Sequence, residues 1–162
     1  MKIARIEVNG RNLLARIEGD QAFIIEGSIL SPGDDTGESM SLGKIRFLVP
    51  TNPSKIVAIG INYMDHAGDR VAPTEPQPFL KTPSSLIAHG EAIILPPDST
   101  NVHMEAELVA VMNATCSKVS PDDALNYVAG YTAGNDVSGR DWQQADLQWW
   151  RAKSSDTFTA VG

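Results

Sequence analysis

A single cysteine, Cys116, stands among 162 residues, so no disulfide can close within the chain, which fits a reducing compartment. Positive charge is scarce: 13 lysines and arginines face 20 aspartates and glutamates, a net charge of −7. That balance argues against a nucleic-acid partner and equally against an anionic membrane surface. An anionic small molecule is still compatible, because a bound cation can reverse the local sign. Nothing approaches the roughly 18 consecutive apolar residues of a membrane helix. The opening MKIARIEVNG carries charges where a secretion signal needs an apolar core. The expectation is a soluble cytoplasmic protein. Repeats and low-complexity tracts are absent too. With 42% hydrophobic and 20% charged residues, the composition is ordinary for a globular protein, enough for a core domain with a small appendage.

The first fifty residues read as short strands. KIARIEV alternates, Asn9-Gly10 is a hairpin signal, and LLARIE and AFIIEG lie on either side of Gly19-Asp20. Residues 31–44, SPGDDTGESMSLGK, are polar and rich in turn formers and read as a loop. Residues 1–50 are therefore read as a small β-rich N-terminal segment and 51–162 as the main domain. In that domain KIVAIGI (55–61) reads as a buried strand. The four prolines of VAPTEPQPFLKTP exclude a continuous helix or a central strand. AIILPP (92–97) and residues 101–113 read as further strands. SPDDALNYVAG is the clearest helix, capped by Ser120, opened by Pro121, with Asp122 and Asp123 at its positive end and Gly130 closing it. YTAGNDVS reads as a strand running into a loop, and GRDWQQADLQWW as a short helix or turn. The class is α+β, mostly β.

Chemistry concentrates in the stretch NVHMEAELVAVMN. Residues two apart on a strand face the same way, so Glu105 and Glu107 share a face that Val109 and Val111 continue. The alternate face is also apolar, which predicts a strand covered on both sides. Two like charges at its mouth resist desolvation unless a cation lies between them or one is protonated. Carboxylate oxygens are hard ligands suited to Mg²⁺, Mn²⁺ or Ca²⁺. Solvation of Glu105 and pairing of Glu107 with a lysine or arginine is the plainer alternative. A third acid is available in GNDVSGRDWQ as either Asp136 or Asp141, and spacing does not choose between them. In GINYMDHAGD, His66 and Asp69 are three apart, a spacing that lets a carboxylate orient an imidazole as a general base. Lys153 and Lys81 are each open to two readings, anion binding or an ordinary structural role, and Lys81 reads as structural. His89 and His103 read as surface or supporting residues.

Taken in order, IGINYMDHAGD, PFLKTPSSL, MEAELVAVM, ALNYVAGYTAGNDVSGRDWQ and KSSDTF resemble the fumarylacetoacetate hydrolase family over residues 55–158, about two-thirds of the chain. The resemblance implies a mixed β-roll or barrel-like catalytic fold and a divalent cation, usually Mg²⁺ or Mn²⁺. It places the metal ligands at Glu105, Glu107 and Asp136, and thereby selects Asp136 over Asp141. It implies a catalytic dyad of His66 and Asp69, with an aspartate where the family commonly has a glutamate. It gives Lys153 an active-site role in catalysis and substrate binding, and Gln143 a substrate contact.

The reaction implied is cleavage of a C–C bond in a small anionic 2-oxo or 1,3-dicarbonyl acid, of acylpyruvate type, through a metal-stabilised enolate. Decarboxylase, hydratase and isomerase variants share that enolate, and a homodimer is implied as the assembly. Family members usually continue past K-S-x-D-T-F with further strands, so the expectation is an incomplete catalytic fold. That expectation motivates a second reading, a catalytically silent chain that binds a metal or a partner subunit. It also predicts exposed sheet edges and apolar surface.

Overall fold

The computed structural model describes residues 1–63, 71 and 73–162. Strands dominate, as the composition and patterning predict. β1 (Ile3–Val8) turns through Asn9 and Gly10 into β2 (Arg11–Glu18), and both turn residues have positive φ, 51° and 77°. That is the backbone a two-residue hairpin requires and the reason for an Asn-Gly pair. β3 (Gln21–Ser28) and β4 (Ser31–Ser41) continue the meander, and β5 (Arg46–Phe47) returns to β1, giving the order β4-β3-β2-β1-β5. Its core is Ile6, Ala15, Ala22 and Ile24, ringed by partly buried neighbours such as Leu13, Met40 and Phe47.

β4 corrects the loop expected at 31–44. It is an edge strand, exposed along nearly its whole length, so its residues need no apolar alternation. Backbone pairing with β3, interrupted by two register shifts, makes it a strand. Arg16 of β2 reaches across to Asp35 at 2.7 Å, and Thr36 Oγ1 donates to the Ile24 carbonyl.

The remainder is built from three further pairings. β6 (Ile56–Gly60) and β7 (Gln77–Lys81) form an antiparallel ribbon that tolerates Pro78 because it has only two strands. β8 (Leu86–Ile87), β10 (Ala106–Met112), β11 (Val128–Asp136) and β13 (Thr159–Val161) form a sheet ordered β10-β11-β13-β8. β9 (Val102–His103) pairs with β12 (Ser138–Gly139). Two short helices, α1 (Arg140–Ala145) and α2 (Trp150–Ser154), follow β12. Trp142, Ala152, Phe158, Val137 and Ile87 are buried here. The Arg46–Glu91 ion pair and the edge-on contact of Phe47 with His89 connect the N-terminal sheet to this part.

The mostly β, α+β class is as expected, and among the described residues the sheets stay open and close no barrel. Other expectations are corrected. Residues 92–97 form no strand. The helix expected at 120–130 shrinks to one 3₁₀ turn, Ala124–Tyr127. Ser120 does not cap a helix: it donates to Asp123 Oδ2 and accepts from the Asp123 amide, closing a local turn. Val128 and Gly130 are claimed by β11, where they pair with Met112 and Val111. β6 is not buried either, with Val57 55% and Ile59 38% exposed. Nor is β10 covered on both sides: Glu107, Val109 and Val111 face inward, while Leu108 and Met112 are exposed, as is Tyr131 beside them on β11. No helix among the described residues is long and apolar enough to cross a membrane.

Candidate functional site

The β10–β11 ladder brings the acidic residues together. Glu107 pairs with Gly134, Ala106 with Asn135, and the Asp136 amide donates to the Glu105 carbonyl at 2.9 Å. Asn135 Oδ1 accepts from the Glu105 amide at 3.1 Å, clamping the segment that leads into β10. Glu105, Glu107 and Asp136 consequently line one cleft between this sheet and the β6–β7 ribbon. Lys153 from α2 and Gln143 from α1 line the same cleft. His66 and Asp69, expected as the catalytic dyad, lie outside the described residues.

Buried positive charge meets these carboxylates. The Lys81 ammonium, 3% exposed at the end of β7, donates to Asp136 Oδ1 and to the Phe158 carbonyl at 3.1 Å. Lys153, equally buried, donates to Asp136 Oδ2 at 2.6 Å and Glu105 Oε1 at 3.1 Å. Arg140 Nη2 lies 2.5 Å from Glu105 Oε1, while its Nη1 donates to Gln143 Oε1 at 2.7 Å and its Nε to His103 Nδ1 at 3.4 Å. Ser138, fully buried, donates to Glu105 Oε1 at 2.8 Å. No buried side-chain nitrogen or oxygen among the described residues is left without a partner.

The two glutamates titrate in opposite directions. Burial pushes the Glu105 carboxyl up, but Lys153, the Ser138 hydroxyl and Arg140 together hold it below the usual range. Burial pushes Glu107 up as well, and Asp136 and Glu105 add to the rise, only partly countered by the Tyr63 hydroxyl and Lys153. Burial also lowers Lys81, against the pull of Asp136. Asp141 belongs elsewhere. It accepts from the Thr100 amide and Ser99 Oγ and so ties the loop before β9 to α1, bonds that hold its carboxyl below the usual range.

Sequence reasoning passed over two members of this cluster. Arg140 and Ser138 lie inside the quoted G-R-D-W-Q and N-D-V-S stretches, where either could have been singled out as a polar residue beside an acid. Lys81 has a structural role as read, but that role is to neutralise Asp136 directly.

Residues 55–162 match the family described as Fumarylacetoacetate (FAA) hydrolase C-terminal, and residues 1–50 match Rv2993c-like, N-terminal. The chain belongs to the fumarylacetoacetate hydrolase family. It is 41% identical over 162 residues to an uncharacterized protein of Archaeoglobus fulgidus, covering 99% of this chain and 61% of that protein. It is 46% identical over 124 residues to a 2,4-didehydro-3-deoxy-L-rhamnonate hydrolase of a Sphingomonas species, covering 74% of this chain and 44% of the relative. The crystal structure of 5-carboxymethyl-2-hydroxymuconate delta-isomerase from Mycobacterium smegmatis superposes with a TM-score of 0.89 at 39% identity, covering all of this chain and 65% of that one. The chain thus spans less than two-thirds of the length of these relatives.

Proposed function

We propose that this chain carries the cation- and substrate-binding face of an enzyme that cleaves a C–C bond in a small 2-oxo or 1,3-dicarbonyl acid. The observation that supports this most is the meeting of three carboxylates, two buried lysines and an arginine along one cleft. Glu105, Glu107 and Asp136 would hold Mg²⁺ or Mn²⁺, with Ca²⁺ a further candidate for the same hard oxygens. The donor set is chemically suited to such a cation, because three carboxylates line one cleft. Among the described residues no three acidic, histidine or cysteine side chains close into a ready coordination shell. Ammonium groups hold both oxygens of Asp136 instead. A divalent cation, when bound, supplies Lewis acidity to the carbonyl and carboxylate oxygens of an oxo acid.

The chain's own groups then have distinct tasks. Lys153 and Arg140 bind the anionic end of the substrate. Arg140 fixes the carbonyl side of the Gln143 amide, leaving its NH₂ to donate into the cleft. The family resemblance assigns the removal of a proton from the attacking water to His66 and Asp69, which lie outside the described residues. The working assembly is a homodimer in the cytoplasm. Turnover of an acylpyruvate with added Mg²⁺ or Mn²⁺, abolished by Glu107→Ala, is the expected result. Full activity in that variant contradicts the assignment.

A second reading is isomerisation, favoured by the likeness to the delta-isomerase over the whole chain. It needs the same enolate and proton transfer but no attack by water. Product analysis separates the two: cleavage yields two fragments, isomerisation one product of unchanged mass.

A further inference from the structure

The acidic site carries its own cations. Glu105 and Asp136 are paired with Lys81, Lys153 and Arg140, and Glu107 lines the same cleft. The three cations are held differently. Lys81 is anchored by the Phe158 carbonyl as well as by Asp136. Arg140 divides its donors among Glu105, Gln143 and His103. The hydrogen bonds of the Lys153 ammonium run only to carboxylates, Asp136 Oδ2 at 2.6 Å and Glu105 Oε1 at 3.1 Å.

Those two carboxylates are proposed ligands of the divalent cation. Mg²⁺ binds oxygen at about 2.0–2.1 Å, so it would lie among the same oxygens that the ammonium contacts. Two cations sharing those oxygens at contact distance repel strongly, and one must move. Both lysines are buried and line the cleft, but only Lys81 is tied to a backbone carbonyl; Lys153, on a five-residue helix, has the Phe79 ring as its other neighbour, centroid 5.3 Å from its Nζ.

We infer that Lys153 is the built-in counter-cation of the acidic site, standing where a divalent cation binds. Cation entry displaces its ammonium into the cleft, where it becomes available to the substrate's anionic group. This rests on the metal reading of the proposed function and adds an order to it: the divalent cation enters first and the anion second. It also means that Lys153 holds down the protein's affinity for the cation.

Calorimetric titration of Mn²⁺ into the full 162-residue chain tests this with wild type, Lys153→Met and Lys153→Arg. Lys153→Met is expected to bind Mn²⁺ about tenfold more tightly than wild type, and Lys153→Arg within about threefold of it. Equal or weaker binding by Lys153→Met, with wild type binding normally, overturns the inference and leaves the metal reading standing. Absence of Mn²⁺ binding by wild type overturns both. If Lys153→Met does not fold, ¹⁵N-lysine NMR of the wild type decides. Mg²⁺ should abolish the slow-exchanging Nζ signal of Lys153 while that of Lys81 persists. A Lys153 signal that survives saturating Mg²⁺ overturns the inference.

Discussion

Ser138 Oγ lies 2.8 Å from Glu105 Oε1 and donates to it, joining residues 33 apart in the chain. Both are withdrawn from solvent, so this hydrogen bond to a charged group should contribute about 1.5–3 kcal/mol. A carboxylate held below its usual range adds stability above its unfolded value, and that stability is lost as pH falls through the folded value. Ser138→Ala is therefore expected to destabilise the protein at pH 7 and to move the acid-unfolding limb to higher pH. Urea titrations at pH 7 and at pH 3 check this. The difference between variant and wild type should shrink at the lower pH.

Glu107 carries the opposite sign. Its carboxyl is raised by burial and by its acidic neighbours, so the folded state binds a proton more tightly than the unfolded chain does. In metal-free protein this part of the stability is fully present below the unfolded carboxylate value and falls as pH rises toward the raised one. Glu107→Gln should remove that loss and raise the melting temperature in chelator at pH 7, by about 2–4 °C for each kcal/mol recovered. An unchanged or lower melting temperature would refute the electrostatic description of this residue.

Lys81 is a stronger structural commitment. Its ammonium neutralises Asp136 in a site where neither side chain is more than 9% exposed. Removing one partner of a buried pair costs about 3–5 kcal/mol, and Lys153 remains to share the load here. Lys81→Met should fall near the lower end of that range in chemical denaturation. A loss below about 1 kcal/mol would mean that the buried pair matters little.

Gly134 stands opposite Glu107 on β11, and a Cβ there would come within 2.6 Å of Val109 Cγ2. Valine is stiff at χ1, so the sheet must shift to make room. Gly134→Ala should cost about 1–3 kcal/mol, read as a lower denaturation midpoint with an unchanged slope.

What could be read from sequence follows from how local each signal was. The Asn9-Gly10 turn and the shared face of Glu107, Val109 and Val111 depend on neighbouring residues alone, and both are present in the fold. β4 was hidden because an exposed edge strand carries no apolar pattern. The expected helix failed because Val128 and Gly130 gain more from pairing with β10, nearly twenty residues back in the chain, than from a local turn. Ser138, Arg140 and Lys81 owe their place to pairings that join distant segments. No periodicity marks a lysine that will end beside a distant aspartate. The family resemblance, carried by short motifs in order, is what put Asp136 rather than Asp141 into the proposed ligand set, a choice that spacing left open.

The claim on which the rest depends is that Glu105, Glu107 and Asp136 hold a divalent cation. Mn²⁺ electron paramagnetic resonance on wild type and Glu107→Ala tests it without any assumption about substrate. One Mn²⁺ bound per wild-type chain, and binding weakened at least about a hundredfold in the variant (a loss of about 2.8 kcal/mol), is the predicted result. Equal binding by both proteins would contradict it.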